Sequence, residues 1–339
     1  MVITPKAFGR VILMSKPIRV IQYGLGAIGR ATARLVLERP GLRLVGAVDR
    51  DPKLAGRDLG SVLGLKRKLG IAVSETLPAA DVVIHCTTSS FEGCAAQIGE
   101  IARAGMHCVT SCEEALFPYY RYRALAGKLN GLCVKHGVAV VGTGVNPGFV
   151  MDTLAVVATA VCRRVDAVRV LRVVDAGTRR EALQRKVGAG MTEDEFHRLA
   201  QQKKIRHVGL TESLVFIADA LGWNLEHVAE DIAPVLSAKE VRTEHLTVKR
   251  HAVAGVRQIA RGWRDKHEVL RLELQMYVGA PDPRDEIEIQ GDPPLHLVMH
   301  GGTPGDIATP AILVNMIPRL LEAKPGLHTM RTLTLPHVT

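Results

Sequence analysis

Apolar positions along the first half of the chain fall into two alternating rhythms. Short, nearly continuous apolar runs begin at residues 18, 42, 81, 106 and 138, as expected of strands buried on both faces of a parallel sheet. Between these runs apolar residues return every three or four positions. Ile28, Ala31, Leu35 and Val36 mark a helix over 30–38 that stops before Pro40, and further helices run over 91–104, up to Gly105, and 119–136. A proline disfavours helix in the residue before it, and glycine takes the left-handed end readily. Strands and helices in this order predict an α/β fold, a Rossmann-type doubly wound parallel sheet.

The rhythm changes after Met151. Strand-like runs at 168–174, 247–256, 269–277, 285–289 and 295–300 surround a helix over 210–221, closed by Gly222. They predict a second, α+β domain with an open mixed sheet, for substrate binding and dimerisation. Thr192 and Glu195 form a capping box. Thr309 and Pro310 fit the cap and first position of a last helix that reaches Ala323, kinks at Pro318 and docks Ile312, Leu313, Met316 and Leu320 on the first domain. The expected organisation is a leader over 1–15, a nucleotide domain over 16–149, a substrate domain over 150–302 and a return to the first domain over 303–339. Met14 is an alternative start.

Three glycines stand where the first strand meets the first helix, in Gly24-x-Gly26-x-x-Gly29. Gly24 suits the tight turn, Gly26 the approach of a pyrophosphate, and Gly29 close packing of helix on strand. The whole stretch, with Leu25, Ala27 and Ile28, is assigned to a dinucleotide whose phosphates meet the helix N-terminus. Asp49 ends the second strand, 20 positions after Gly29, where a carboxylate reaches an adenosine ribose. Asp49 favours NAD, whereas Arg50 and Lys53 offer charge to the 2′-phosphate of NADP, so both cofactors stay open.

Composition adds limits. The 339 residues are 47% apolar and 23% charged, ordinary for a folded chain of two domains. Among the runs none approaches the about 18 residues of a membrane span, and the apolar patch at 11–14 is too short for a signal peptide. The net charge of +10 suits anionic ligands or solubility, and no nucleic-acid motif accompanies it. Six cysteines without a C-x-x-C pair read as reduced, buried thiols of a cytoplasmic protein, and Cys108 and Cys112 lack partners for a metal site.

Ligands bind beyond the carboxyl ends of parallel strands. Thr87, Thr88 and Ser89 follow the third major strand and should lie beside the nicotinamide, while His85, inside it, reads as a packed histidine. Glu113 and Glu114 follow the next strand. A carboxylate partly removed from water there gains a raised pKa and can move protons near neutral pH. Strand-end position favours Glu113 as the catalyst, and a helix-dipole role suits Glu114. Beyond the strand at 138–142, Gly144, Asn146 and Pro147 make a loop that lets backbone approach a flat ring, with Asn146 placed to hydrogen-bond a carboxamide. Arg179 and Arg180 offer charge to a substrate carboxylate or to solvent. Trp263 and His267 read as structural.

The segments Gly24–Gly29, Thr110-Ser111-Cys112-Glu113-Glu114, Gly142-Thr143-Gly144-Val145-Asn146-Pro147-Gly148 and Gly188-Ala189-Gly190-Met191-Thr192, with Pro325-Gly326-Leu327 and Leu335-Pro336, resemble the 2,4-diaminopentanoate dehydrogenase family. That family includes native amine dehydrogenases, and its first domain is similar to that of dihydrodipicolinate reductase. The resemblance implies NAD(P)-linked oxidative deamination of an amine, reversed as reductive amination of a ketone or aldehyde with ammonia. It places a glutamate near the substrate nitrogen, matched here by Glu113, and implies a homodimer. A carboxylate fits the positively charged imine, which a nearby lysine or arginine would oppose. The paired-histidine-and-lysine motif of dihydrodipicolinate reductase is absent from the corresponding region, 174–185. Remaining readings are 2,4-diaminopentanoate dehydrogenase proper, a reductase of a cyclic imine or carbonyl, and a nucleotide-bound redox sensor.

Overall fold

The buried run Ile18–Tyr23 forms β1, an inner strand of a seven-stranded parallel sheet, in the computed structural model, which describes residues 16–338. The leader expected over 1–15 lies outside the described residues. After β1 come α1 (Ala27–Glu38), β2 (Leu42–Val48), the short α2 (Leu59–Val62), β3 (Val73–Ser74), β4 (Val82–His85) and α3 (Phe91–Arg103). Then follow β5 (His107–Thr110), a 3-10 turn at Glu113–Leu116, α4 (Arg123–His136) and β6 (Ala139–Gly142). Every residue of β4 and β6 is buried, as strands covered on both faces must be. The strand order from β6 through β5, β4, β1 and β2 to β3 reverses between β1 and β4, which opens a crevice at their carboxyl ends.

The second unit runs through α5 (Thr153–Ala158), β7 (Arg164–Asp175), α6 (Glu181–Lys186), α7 (Glu193–Gln201), α8 (Leu210–Ala220) and β8 (His227–Leu236). It continues with β9 (Val241–Arg242), β10 (Thr247–Val248), β11 (Val253–Arg264), β12 (His267–Tyr277), β13 (Arg284–Asp292) and β14 (Leu295–His300). Six of these strands form a mixed sheet in the order β14-β13-β7-β12-β11-β8, in which β7 and β12 pair parallel and the rest antiparallel. Strand period shows in β13, where Asp285, Ile287 and Ile289 are buried and the residues between them are not. β8 carried little sequence signal because Asp231 and Pro234 interrupt its apolar pattern, and a proline is tolerated there because β8 is an edge strand.

Several boundaries differ from the sequence expectation, three of them with a clear local cause. The run at 247–256 is split, because His251 adopts a left-handed φ of 66° between β10 and β11. α4 begins at Arg123 rather than residue 119, after a turn in which Tyr122 N donates to Pro118 O at 2.8 Å. The last helix, α9 (Gly305–Leu321), starts a turn before Thr309. Thr309 accepts from Val145 N (3.4 Å) instead of capping, and Asp306 supplies the negative charge of the first turn. The chain then adds β15 (Gly326–His328) parallel to β6. α9 buries Leu313, Met316 and Leu320 completely, against α1 and strands β4 to β6.

α8 is buried throughout Leu210 to Ala218, including Glu212, which pairs with Arg121, and Ser213, which donates to Asp152. It lies between the mixed sheet and the 3-10 turn at Glu113–Leu116, so it joins the two halves at the crevice.

His85 is wholly buried, its ring nitrogens 2.9 Å from Thr110 Oγ1 and 2.8 Å from Gln97 Oε1. Burial pushes its pKa down to about 4. A histidine in the unfolded chain titrates near 6.5, so between those values the unfolded state binds more protons. The stability from neutral His85 is therefore complete above about pH 6.5 and falls as pH drops towards about 4, by ~3 kcal/mol in all. Denaturant midpoints should decline across that window in the native protein and less steeply in His85→Gln. Equal slopes would refute this coupling.

Candidate active site

The glycine turn carries the features of an anion cradle. Gly24 has a φ of 88°, and a Cβ there would stand 2.2 Å from Cys86 O. A Cβ on Gly29 would stand 1.9 Å from Gly24 O, so α1 and the turn touch backbone to backbone. At Gly26 a Cβ would meet no protein atom within 4 Å, and that is the side a pyrophosphate needs. No side chain caps α1 and no acid lies in its first turn, which leaves its N-terminal N–H groups around Ala27 and Ile28 to a phosphate. Leu25 differs in detail: its side chain is core, and its N–H donates to Asp49 Oδ2 at 2.6 Å. Asp49 Oδ1 accepts from Asp51 N at 2.9 Å, so this carboxylate braces the turn. Arg50 is exposed beside it. These residues fit a dinucleotide.

Beyond β4 the three hydroxyl residues divide their work. Thr87 donates to Gln97 Oε1 (3.0 Å), and Thr88 Oγ1 accepts from Ser90 N (3.3 Å). Ser89 O accepts from Glu114 N (3.2 Å) and the Cys112 thiol (3.2 Å), while its hydroxyl supports the Glu113 carboxylate. The 3-10 turn that carries both glutamates packs on β6, where a Cβ on Gly142 would lie 2.4 Å from Ala115 O.

The two glutamates have different surroundings. Glu114 is 7% exposed, and its Oε2 accepts from Phe91 N and from Tyr122 OH, both at 2.9 Å. It closes the N-terminus of α3, a neighbouring helix rather than its own turn. Glu113, beside it, is only half-buried. Burial raises its pKa, assisted by the nearby charge of Glu114, whereas its own backbone N–H, Ser89 and the ammonium of Lys186 oppose the rise. Lys186, exposed at the end of α6, thus stands near the proton-moving carboxylate, where the sequence reading expected no cation.

The loop after β6 has a cis Asn146–Pro147 bond and is tied from beneath. Gly148 N donates to Asp152 Oδ2 (2.8 Å), which also accepts from Ser213 Oγ (2.7 Å) on α8. Gly144 and Pro147 are buried. Thr143 Oγ1 and Asn146 Oδ1 are shut from solvent without a hydrogen-bond partner. Against this loop stands Gly209, before α8, with a φ of 102°. A Cβ there would lie 2.4 Å from Pro147 Cγ and 3.2 Å from Glu113 Cβ. Gly209 and Lys186 were missed by the sequence reading. Only Gly209, a glycine ahead of a helical pattern, carried a signal.

Arg179 is brought to the same region but is engaged: its Nη2 pairs with Asp306 Oδ2 at 2.8 Å. Arg180 is exposed. Nearby, Arg172 on β7 is buried between Asp285 Oδ1 and Thr303 O, both at 2.6 Å, and ties the mixed sheet to the returning segment.

Comparison with known proteins meets this geometry at both ends of the chain. Residues 149–339 match the model of the 2,4-diaminopentanoate dehydrogenase C-terminal domain, and residues 18–111 match the dihydrodipicolinate reductase N-terminus. The 2,4-diaminopentanoate dehydrogenase of Acetoanaerobium sticklandii is 31% identical over 332 residues, covering 94% of each chain. An amine dehydrogenase of Streptomyces virginiae is 23% identical over 63% of this chain and 62% of its own. Among solved structures, an amine dehydrogenase from Mycobacterium smegmatis superposes with a TM-score of 0.82 at 26% identity, over 94% of this chain and 97% of that one. The chain belongs to the 2,4-diaminopentanoate dehydrogenase family.

Proposed function

We propose that this protein is an NAD(P)-dependent amine dehydrogenase, an oxidoreductase acting on CH–NH2 donors. It converts a primary amine to a ketone or aldehyde and ammonia, and runs the reverse as reductive amination. The observation that carries the reading is Glu113, a half-buried carboxylate of raised pKa beyond the carboxyl end of β5, the edge of the sheet at which the glycine turn also lies. A bound nicotinamide supplies the hydride acceptor for deamination and the donor for the reverse.

The chain's own groups supply the rest. Glu113 takes a proton from the substrate ammonium, because only the free amine can release hydride from its carbon. Glu113 passes that proton to solvent, and the carboxylate so restored stabilises the cationic iminium at close range in a site of reduced dielectric. Water adds to the iminium carbon, one of its protons moves to the nitrogen, and the C–N bond breaks as the other proton is lost to solvent, giving ammonia and the carbonyl. Gly209, Pro147 and the buried loop at 142–148 wall off the site, limiting water to what this step consumes. Thr87, Thr88, Ser89 and Asn146 are assigned to the nicotinamide side, and Gly144 and Pro147 to the substrate side.

Lys186 favours an amine that also carries a carboxylate. Its charge acts on Glu113, and it forms no ion pair among the described residues, whereas Arg179 is taken by Asp306. A diamino acid of the 2,4-diaminopentanoate kind places its anionic end on Lys186 and a reacting nitrogen at Glu113. On the cofactor side, Asp49 suits the ribose of NAD and favours that cofactor, while exposed Arg50 offers a charge to the 2′-phosphate of NADP. Arg50→Ala should raise KM for NADP roughly tenfold, the loss of one charge-assisted hydrogen bond, and leave NAD unaffected.

The deciding assay offers 2,4-diaminopentanoate, simple amines and their ketones with ammonia to the enzyme, with NAD and NADP separately. Ammonia-dependent oxidation of reduced cofactor supports the proposal. Reduction without ammonia selects the imine or carbonyl reductase, and binding without turnover selects the sensor. We further assign residues 150–302 as the substrate and dimerisation domain, with a homodimer through the mixed sheet by analogy of fold. The six free cysteines support a cytoplasmic location. No helix among the described residues is long and apolar enough to cross a membrane.

A further inference from the structure

Two of the residues buried along α8, Glu212 at 3% exposure and Ser213 at 0%, carry polar groups that the reaction does not use. Each is spent on a different active-site segment. Glu212 Oε1 accepts from Arg121 Nε at 2.6 Å. Arg121 ends the segment that begins at Glu113, and its neighbour Tyr122 donates back to Glu114 Oε2 at 2.9 Å. Ser213 Oγ donates to Asp152 Oδ2 at 2.7 Å, an oxygen that also accepts from Gly148 N at 2.8 Å. The Thr153 hydroxyl completes the hold by donating to Gly148 O at 2.9 Å. Gly148 in turn closes the loop bearing Asn146 and Pro147, since a Cβ on it would stand 2.2 Å from Gly144 N.

Gly209, just before α8, fits against the Pro147 ring and the Glu113 side chain. The stretch 209–213 therefore meets both segments, first in direct packing and then through Arg121 and Asp152. An apolar side chain at 212 or 213 would pack in the core without the cost of burying a polar group. It would not supply direction. Apolar contacts are non-directional and tolerate sliding, whereas a hydrogen bond to a charged group fixes both distance and angle. Successive helical residues point about 100° apart, so one rigid helix can hold two segments at once.

We propose that Glu212 and Ser213 are positioning residues that fasten the Glu113 turn and the Asn146–Pro147 loop to one helix, and so set the distance between proton acceptor and nicotinamide. Neither touches the reacting atoms, and Arg121 and Asp152 carry their effect. The part played in catalysis rests on the amine dehydrogenase reading, whereas the fastening itself does not.

The test uses the full chain with NAD, and 2,4-diaminopentanoate and isopropylamine as the amines. The double variant Arg121→Met, Glu212→Met removes the bond without leaving a buried charge unpaired, so Tm should stay near native. Its kcat should nevertheless fall roughly tenfold, with the cofactor dissociation constant unchanged. Glu212→Gln, which keeps an acceptor for Arg121, should recover most of that loss. Ser213→Ala, which only removes a hydroxyl, should lower kcat by a similar factor. Amide exchange read by mass spectrometry needs no turnover. Residues 113–122 should exchange roughly tenfold faster in the double variant and residues 143–149 in Ser213→Ala, each with the other segment at its native rate. Native kcat or native exchange in either variant overturns the proposal for that residue, and a rate loss that tracks Tm across the variants overturns it for both. If the native enzyme oxidises none of the amines offered while exchange responds as stated, the dehydrogenase reading fails and the fastening stands.

Discussion

Glu113→Gln should abolish amine oxidation almost completely, lowering kcat by roughly a thousandfold, the range of a positioned general base, while cofactor binding stays native. Glutamine keeps the shape and the hydrogen bond from Ser89 but cannot take a proton or offset an iminium charge. The cofactor cradle around Gly26 is built by other residues, so titration with NAD or NADP should give an unchanged dissociation constant. In the native enzyme kcat/KM for amine oxidation should rise with pH through the elevated pKa of Glu113, because only the ionised form accepts a proton. Ser89 and Lys186 both hold that pKa down, so Ser89→Ala should move the rising limb to higher pH. A Glu113→Gln enzyme that keeps its rate within threefold would sink the assignment, and transfer of the limb to Glu114 would be tested next.

Much of this arrangement was legible because the physics is local. A strand, three spaced glycines and an uncapped helix define an anion site within 21 residues, Ile18 to Glu38. Glu113 was singled out by counting from a strand end, since crevices in parallel sheets lie there, and the structure puts it on the turn that follows β5. The role of Glu114 was only half visible. Its dipole function is real, but it serves α3, reached across space through Phe91 N, and no sequence spacing reports that contact. Lys186 and Gly209 lie in the second unit, 73 and 96 positions beyond Glu113. Their place in the site depends on how α8 packs between the mixed sheet and the 3-10 turn. Arg179 shows the converse: the charge was visible in the sequence, but Asp306, which engages it, sits 127 positions away.

Gly209→Ala should damage stability and catalysis together, and the contrast with Gly26→Ala separates the two ends of the site. At Gly26 an added methyl meets no protein atom within 4 Å, so the fold should keep its stability and lose cofactor affinity. At Gly209 the backbone holds a φ of 102°, and the methyl would lie 2.4 and 2.7 Å from the Pro147 ring and 3.2 Å from Glu113 Cβ. Backbone strain of about 1–3 kcal/mol adds to an overpacking cost of similar size. The proline ring is stiff and its loop is tied to Asp152 and Ser213, so residue 209 itself must shift away from the ring, and its new methyl then disturbs the neighbouring Glu113. A catalytic carboxylate displaced by about 1 Å costs on the order of a hundredfold in rate. Gly209→Ala should therefore lower Tm and reduce kcat by tens to a hundredfold, with the cofactor dissociation constant unchanged because α1 and its glycine turn are not involved. Native kcat in a variant of lowered Tm would show that Gly209 serves the fold alone, and that the contact with Glu113 does not set the geometry of proton transfer.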